Sequence, residues 1–257
     1  MHAPLSELSI VTAGILARLR ERRPRVHCVT NSVAQAFTAN VLLAAGAVPS
    51  MTLSIEEIAG FVAGADALLV NLGTFDAERR EAITAALDVA AEQRLPWVLD
   101  PVFVDRSEPR AAYARSLVAQ KPRTIRLNRP EFAALAGEEP DGGALMRYAL
   151  DTLAVIALTG TVDLISDGAR HIALENGHPL MARVTAMGCA ASALTAACLA
   201  VEPDPLAATA AALLAFGVAG EVAGGRASGP GSLATGIIDA LYALDRDMLI
   251  QIAKVSE

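Results

Sequence analysis

Apolar runs of strand length alternate along this chain with stretches of helical spacing, and that alternation predicts the architecture. Residues 5–20 repeat apolar side chains every three or four positions, as an amphipathic helix does. Pro24 ends its polar tail, and Arg25-Val26-His27-Cys28-Val29 reads as a first core strand. Thr30-Asn31-Ser32, all N-cap types, starts a helix over 33–45 that Gly46 stops. Residues 47–51 return as a strand, and Ser54-Ile55-Glu56-Glu57 opens a helix with acids in its first turn. Asp66 to Thr74 is almost continuously apolar, the signature of a parallel strand covered on both faces. A helix over 76–93, a strand over 96–101, a helix near 111–120 and a strand over 123–128 follow. Pro130 stands at a first helical position with Glu131 beside it; 137–143 is a loop, 144–152 a helix and 154–160 another buried strand. Residues 162–166 and 169–174, joined by Asp167-Gly168, predict a hairpin. The rest is helical, at about 190–201, 206–224 and 232–247. This order implies a mostly parallel covered sheet with an antiparallel edge; without repeats or linkers, residues 1–257 are expected to form one α/β domain.

Composition narrows the function classes. The chain is 53% hydrophobic but only 4% aromatic, so its core is aliphatic and it offers no stacking platform for single-stranded nucleic acid. A formal net charge of −7 without a basic run argues against nucleic acid or an anionic membrane as partner. Met1-His2-Ala3-Pro4 lacks the pattern of a secretion signal, and the longest apolar run, Pro205 to Gly225, leads into Arg226 and contains Glu221; a soluble, cytoplasmic protein is expected. Cys28, Cys189 and Cys198 make neither a disulfide framework nor a zinc motif. On one helix, Cys189 and Cys198 would stand ~13 Å apart on opposite faces.

The candidate chemistry sits at strand ends, because ligands of parallel sheets collect beyond the strands' carboxyl ends. Thr30-Asn31, Asn71 with Gly73-Thr74, Asp100, Asn128 with Glu131, Thr159-Gly160 and the Gly188-Cys189 turn form one rim. Each alone reads as a cap or a turn; six on one edge make a site. Around Arg183 to Leu194 a one-glycine turn enters an alanine-rich helix, leaving the N–H groups of Met187, Gly188, Cys189 and Ala190 as an anion site whose field favours a Cys189 thiolate. Alone, the same stretch also reads as a turn glycine and a buried cysteine. Asp100 and Glu131 are hard oxygen donors suited to Mg²⁺, while Arg126 and Thr159 can reach nucleotide phosphates, so the set fits phosphoryl transfer. Neither a Walker loop nor a Rossmann fingerprint is present; the only lysines, Lys121 and Lys254, lie outside any such motif.

Several of these runs resemble the hydroxyethylthiazole kinase family, in order and spacing, from about residue 10 to Tyr242. They are Val26-His27-Cys28-Val29-Thr30-Asn31, Phe37-Thr38-Ala39-Asn40, Gly46 to Met51, Asn71-Leu72-Gly73-Thr74, Asp100-Pro101-Val102, Thr159-Gly160 with Val162-Asp163, Asn176-Gly177-His178-Pro179-Leu180-Met181, and Phe216 to Glu221. The resemblance implies a ribokinase-like three-layer sandwich. It also implies ATP- and Mg²⁺-dependent phosphorylation of the primary alcohol of 4-methyl-5-(2-hydroxyethyl)thiazole, in thiamine salvage. By it, Asn31, Met51, Gly73 and Ala186 would bind thiazole, Arg126 and Thr159 ATP, and Asp100 and Glu131 the metal. Gly188 and Cys189 would be the catalytic turn. A homotrimer is implied, with Met51 reaching a neighbour's site.

The chain departs from the family pattern at the turn, where Thr185-Ala186-Met187-Gly188-Cys189 replaces Thr-Gly-Thr-Gly-Cys. Ala186 would be strained if its position needs positive φ, and Met187 replaces a hydroxyl able to bond phosphate. Phe103-Val104-Asp105-Arg106 stands where small residues are usual, and Leu127 where glycine is. Three other readings compete: a kinase of a related small alcohol, a non-catalytic thiazole or nucleotide binder, and a cysteine hydrolase built on Cys189. The last lacks a paired base.

Overall fold

The computed structural model describes residues 5–256; the Met1 to Pro4 reading lies outside them. Nine strands form one sheet in the order β2-β1-β3-β4-β5-β6-β7-β8-β9. They are β1 (Arg25–Val29), β2 (Val48–Ser50), β3 (Ala67–Asn71), β4 (Trp97–Asp100), β5 (Thr124–Leu127), β6 (Val155–Leu158), β7 (Asp163–Ser166), β8 (His171–Leu174) and β9 (Val255–Ser256). Pairings are parallel from β2 through β6 and antiparallel from there to β9.

Helices cover both faces. On one lie α1 (Leu5–Arg22), α2 (Gln35–Ala45), α8 (Met187–Leu199), α9 (Pro205–Gly224), α10 (Pro230–Ala243) and α11 (Arg246–Ile252). On the other lie α3 (Ile58–Ala63), α4 (Ala77–Gln93), α5 (Glu108–Val118), α6 (Arg129–Ala136) and α7 (Gly142–Thr152). The result is the three-layer sandwich expected. Helix α9 is long and apolar enough to cross a membrane, but 83% of its apolar window is buried inside the protein, where it is a core helix.

Element boundaries differ where capping overrides hydrophobic pattern. Helix α8 begins at Met187, ahead of the apolar run; before it, residues Pro179–Arg183 form a 3-10 turn and Val184 is extended. The last predicted helix is two, because Asp245 caps a new start by accepting from the Met248 N–H at 2.8 Å. Strand β9, two residues long, carries no readable period.

Candidate active site

Side-chain alternation along the strands decides which polar groups meet. In β3, Ala67 and Leu69 face the α8 side while Leu68 and Val70 face away, so Asn71 follows Leu69 towards α8. In β4, Val98 is succeeded in the same phase by Asp100. In β5, Thr124 bonds Thr209 of α9 and is succeeded by Arg126. A period of two thus delivers Asn71, Asp100 and Arg126 beneath the N-terminus of α8. Asn71 and Asp100 are register partners.

These residues form one hydrogen-bonded chain. Asn31 accepts from the Ala34 N–H (2.9 Å) and donates to Asn71 Oδ1 (3.1 Å) and Cys189 Sγ (3.4 Å). Asn71 donates to Asp100 Oδ2 (2.8 Å) and to Cys189 Sγ (3.3 Å). Ser192, one turn beyond Cys189, donates to the same Asp100 oxygen at 2.9 Å. Gly73 donates its N–H to Asn71 Oδ1; a Cβ there would stand 2.5 Å from Asn31 Nδ2, so only glycine clears the amide pair.

Arg126 closes the other side. Its Nη2 donates to Thr159 Oγ1 at 2.8 Å, and Nη1 lies 3.6 Å from Asp100 Oδ1, an ion pair too long for a hydrogen bond. A Cβ on Gly188 would stand 2.8 Å from both terminal nitrogens, so the guanidinium rests against the first turn of α8. Among the described residues the N–H groups of Met187, Gly188 and Cys189 have no acceptor, whereas that of Ala190 bonds Ala186 O and leaves the expected set of four. A cation beside the positive end of a helix and three free donors is an arrangement that an anion stabilises.

Ala186 lies at φ 69°, ψ 2°, in the left-handed region, so the strain expected of an alanine here is present. Met187 is buried in the core on the α8 side of the sheet.

The thiolate expectation for Cys189 is reversed. Burial first, and the Asp100 carboxylate second, push the thiol up to about 11 against the Asn31 and Asn71 amides and Arg126. Burial also raises Asp100, opposed chiefly by Arg126. Among the described residues no histidine bonds the cysteine: His27 bonds Ser50 Oγ and Thr52 O, His178 accepts from the Leu180 N–H, and His171 is on β8. That removes the hydrolase reading.

Glu131 is committed differently from the others. Its two oxygens accept from the Phe103 N–H and the Asn128 N–H, each at 2.9 Å, while Asn128 caps α6 in return. It fastens the loop after β4 to the start of α6. Burial and then Asp100 raise its carboxyl. Among the described residues no group of three or more metal-ligating side chains gathers. Met51, just beyond β2, packs half-buried against the α8-side core and shares no hydrogen bond with the cluster within one chain.

Three residues were given no role by the sequence. Ser192 was detectable as the i+3 neighbour of Cys189. Asp163 holds the Gly160 N–H at 2.9 Å and is raised by burial. Arg110 of α5 donates to Leu72 O and Val102 O, tying together the loops after β3 and β4; nothing local in its sequence marks it.

A sequence model of the hydroxyethylthiazole kinase family matches residues 16–247. The chain belongs to that family. It is 44% identical over 256 residues to the hydroxyethylthiazole kinase of Granulibacter bethesdensis, covering 95% of this chain and 93% of that protein. The structure of a hydroxyethylthiazole kinase protein from Pyrococcus horikoshii superposes with a TM-score of 0.91 at 39% identity, over 95% of this chain and 98% of that one. A ribokinase-like superfamily protein from Enterococcus faecalis shares the fold alone, with a TM-score of 0.69 at 14% identity, covering 88% and 89% of the two chains. Family membership makes the chain a kinase.

Proposed function

We propose that the protein transfers the terminal phosphoryl group of ATP to the hydroxyethyl oxygen of 4-methyl-5-(2-hydroxyethyl)thiazole, in thiamine salvage in the cytoplasm. The observation that carries this reading is the Arg126 guanidinium lying against the free N–H groups of α8, across from buried Asp100. Transfer through a loose transition state needs placement and charge neutralisation more than covalent help. Met187, Gly188 and Cys189 N–H groups and Arg126 would neutralise the transferring group, and Thr159 would hold the guanidinium in line. Cys189, protonated at neutral pH, orients Asn31 and Asn71 rather than serving as base; the alcohol's proton leaves late. Asp100 Oδ1, buried without a hydrogen-bond partner, fits Mg²⁺, which when bound would supply charge neutralisation along the phosphates; Glu131 supports the same region through the backbone.

A homotrimer belongs to the same reading. Val33, Leu43, Val48, Ile55 and Phe61 are exposed apolar residues on the elements around edge strand β2, next to Met51. A cleft of about 650 Å³ between β2 and α3, lined by Ser50, Glu57 and Phe61 among others, opens on the same side. A neighbour seated there would bring Met51 and its thiazole contact into a shared site. A second reading, a related small alcohol as substrate, rests on Phe103, a residue 48% exposed whose N–H bonds Glu131.

The test is ADP release by purified protein with Mg²⁺, ATP and the thiazole alcohol, beside the Ala186→Gly/Met187→Thr variant. Thiazole-dependent release is expected from the wild type. Release only with other hydroxyethyl heteroaromatics favours the second reading, and none with any alcohol overturns both.

A further inference from the structure

One motif remains without a role in the chemistry: Asn176-Gly177-His178-Pro179-Leu180-Met181. It lies against a face of α9 formed by Gly217, Gly220 and Gly224, spaced i, i+3, i+7 and therefore on one side of the helix. A Cβ on Gly217 would stand 2.7 Å from Asn176 O; on Gly220, 2.3 Å from Met181 Sδ; on Gly224, 2.3 Å from His178 Cγ. All three are helical, so none is needed for backbone freedom, and alanine, plentiful elsewhere in α9, would suit the helix better. Close approach of the motif is what each glycine permits.

The motif is also tied at its start. Asn176 donates to Glu221 Oε2 and Ile252 O, both at 2.9 Å, and accepts from the Lys254 N–H at 2.6 Å. Lys254 Nζ pairs with Glu221 Oε1 at 2.6 Å. From this anchor the chain winds tightly: Met181 N–H bonds His178 O and Val184 N–H bonds Met181 O, and the 3-10 turn Pro179–Arg183 hands over to Ala186. Between the last seated side chain, Met181, and the first free donor, Met187, the chain runs through the end of that turn, extended Val184, Thr185 and left-handed Ala186.

We propose that residues 176–181, seated on the glycine face of α9, are a positioning element that sets where the Met187–Cys189 donors stand relative to Arg126. This rests on the anion-site reading above. Displacing the seat moves the turn without touching any residue that would contact nucleotide.

Gly217→Ala and Gly224→Ala are the strong displacements, since their Cβ atoms meet backbone and the root of a ring. Gly220→Ala is milder, because it meets a flexible thioether, and Gly220→Ala/Met181→Ala removes that contact. Each is assayed for turnover and, independently, for binding of the non-hydrolysable ATP analogue AMP-PNP with Mg²⁺ by calorimetry. Val218→Ala, a buried core variant on the other side of the same helix, serves as a comparison for lost stability. Expected are a loss of about tenfold or more in AMP-PNP affinity or kcat for the strong variants while still folded, a smaller loss for Gly220→Ala, its recovery in the double variant, and little change per folded molecule in Val218→Ala. If the strong variants fail to fold, the Gly220→Ala pair decides alone. Wild-type affinity and kcat in folded glycine variants, or no recovery in the double variant, overturn the proposal. A wild type that neither binds AMP-PNP nor turns over would instead overturn the functional reading.

Discussion

Ala186 and Cys189 show how much a single residue carries at this rim. Ala186 holds a left-handed conformation that costs an L-residue about 1–2 kcal/mol, part of which glycine would return as unfolded-chain entropy. Ala186→Gly is therefore expected to raise the melting temperature by about 2 °C, measured calorimetrically, with the turn otherwise unchanged. A lower melting temperature would mean that the methyl group makes contacts worth more than the strain. Cys189 accepts from two amide nitrogens, both of which would bond a carboxylate more strongly than a thiol sulfur. Cys189→Asp is expected to keep kcat within about threefold, while Cys189→Ala, which strips both amides of that acceptor, loses about tenfold. Because the thiol titrates near 11, the wild-type activity profile carries no limb from it around neutrality. An inactive Asp variant would count against the orienting role. The sequence pointed to this residue, but its protonation was unreadable there: the helix end is local, whereas the burial and the Asp100 charge that outweigh it come from distant strands.

At the scale of elements, strands were legible because buried parallel strands are apolar runs, and the same alternation placed Asn71, Asp100 and Arg126 on one face. What was not legible was commitment. Glu131 reads as a metal ligand beside Asp100, yet its two oxygens are taken by backbone N–H groups, one of them on a loop 28 residues away in sequence. Helix starts at Met187 and Arg246 were set by a strained turn and a cap, neither of which alters hydrophobic period. Strand β2 illustrates a third case. It has three residues and pairs only with β1, and its hold depends on His27, whose ring bonds Ser50 Oγ at 2.8 Å and Thr52 O at 3.2 Å, bracketing Met51. Burial lowers His27 from 6.5 to about 4. Between those pH values the unfolded chain takes a proton that the folded protein refuses, so stability present above pH 6.5 is lost as pH falls towards 4, by at most about 3 kcal/mol. The raised carboxyls of Asp100, Glu131 and Asp163 act with the opposite sign but are common to wild type and a His27→Gln variant. Denaturant titrations should therefore show the stability gap between the two proteins narrowing from pH 7 to pH 4.5. A constant gap would mean that His27 does not titrate differently on folding.

For the whole molecule, the expected site residue that lies at the exposed edge of the sheet is Met51. Asn31, Gly73, Asp100, Arg126, Thr159 and Gly188 meet through hydrogen bonds or direct approach, but Met51 stands past the exposed edge of the sheet among the apolar residues of β2, α2 and α3. If copies associate through that edge, Met51 completes a neighbour's site, and inactivation at Met51 and at Arg126 should complement. Met51→Glu and Arg126→Gln, each inactive alone, can be co-expressed with different tags and isolated as mixed assemblies. In a cyclic trimer that takes Arg126 from one subunit and Met51 from the next, every mixed assembly holds one intact site of three, so about a third of wild-type activity should return. A chain carrying both substitutions, mixed with wild type, should instead leave about one site of three in trimers with two wild-type subunits and none in trimers with one. No recovery in mixed assemblies that do form would place Met51 in its own chain's site, and an absence of mixed assemblies at all would leave the exposed edge of β2 to some partner other than a second copy.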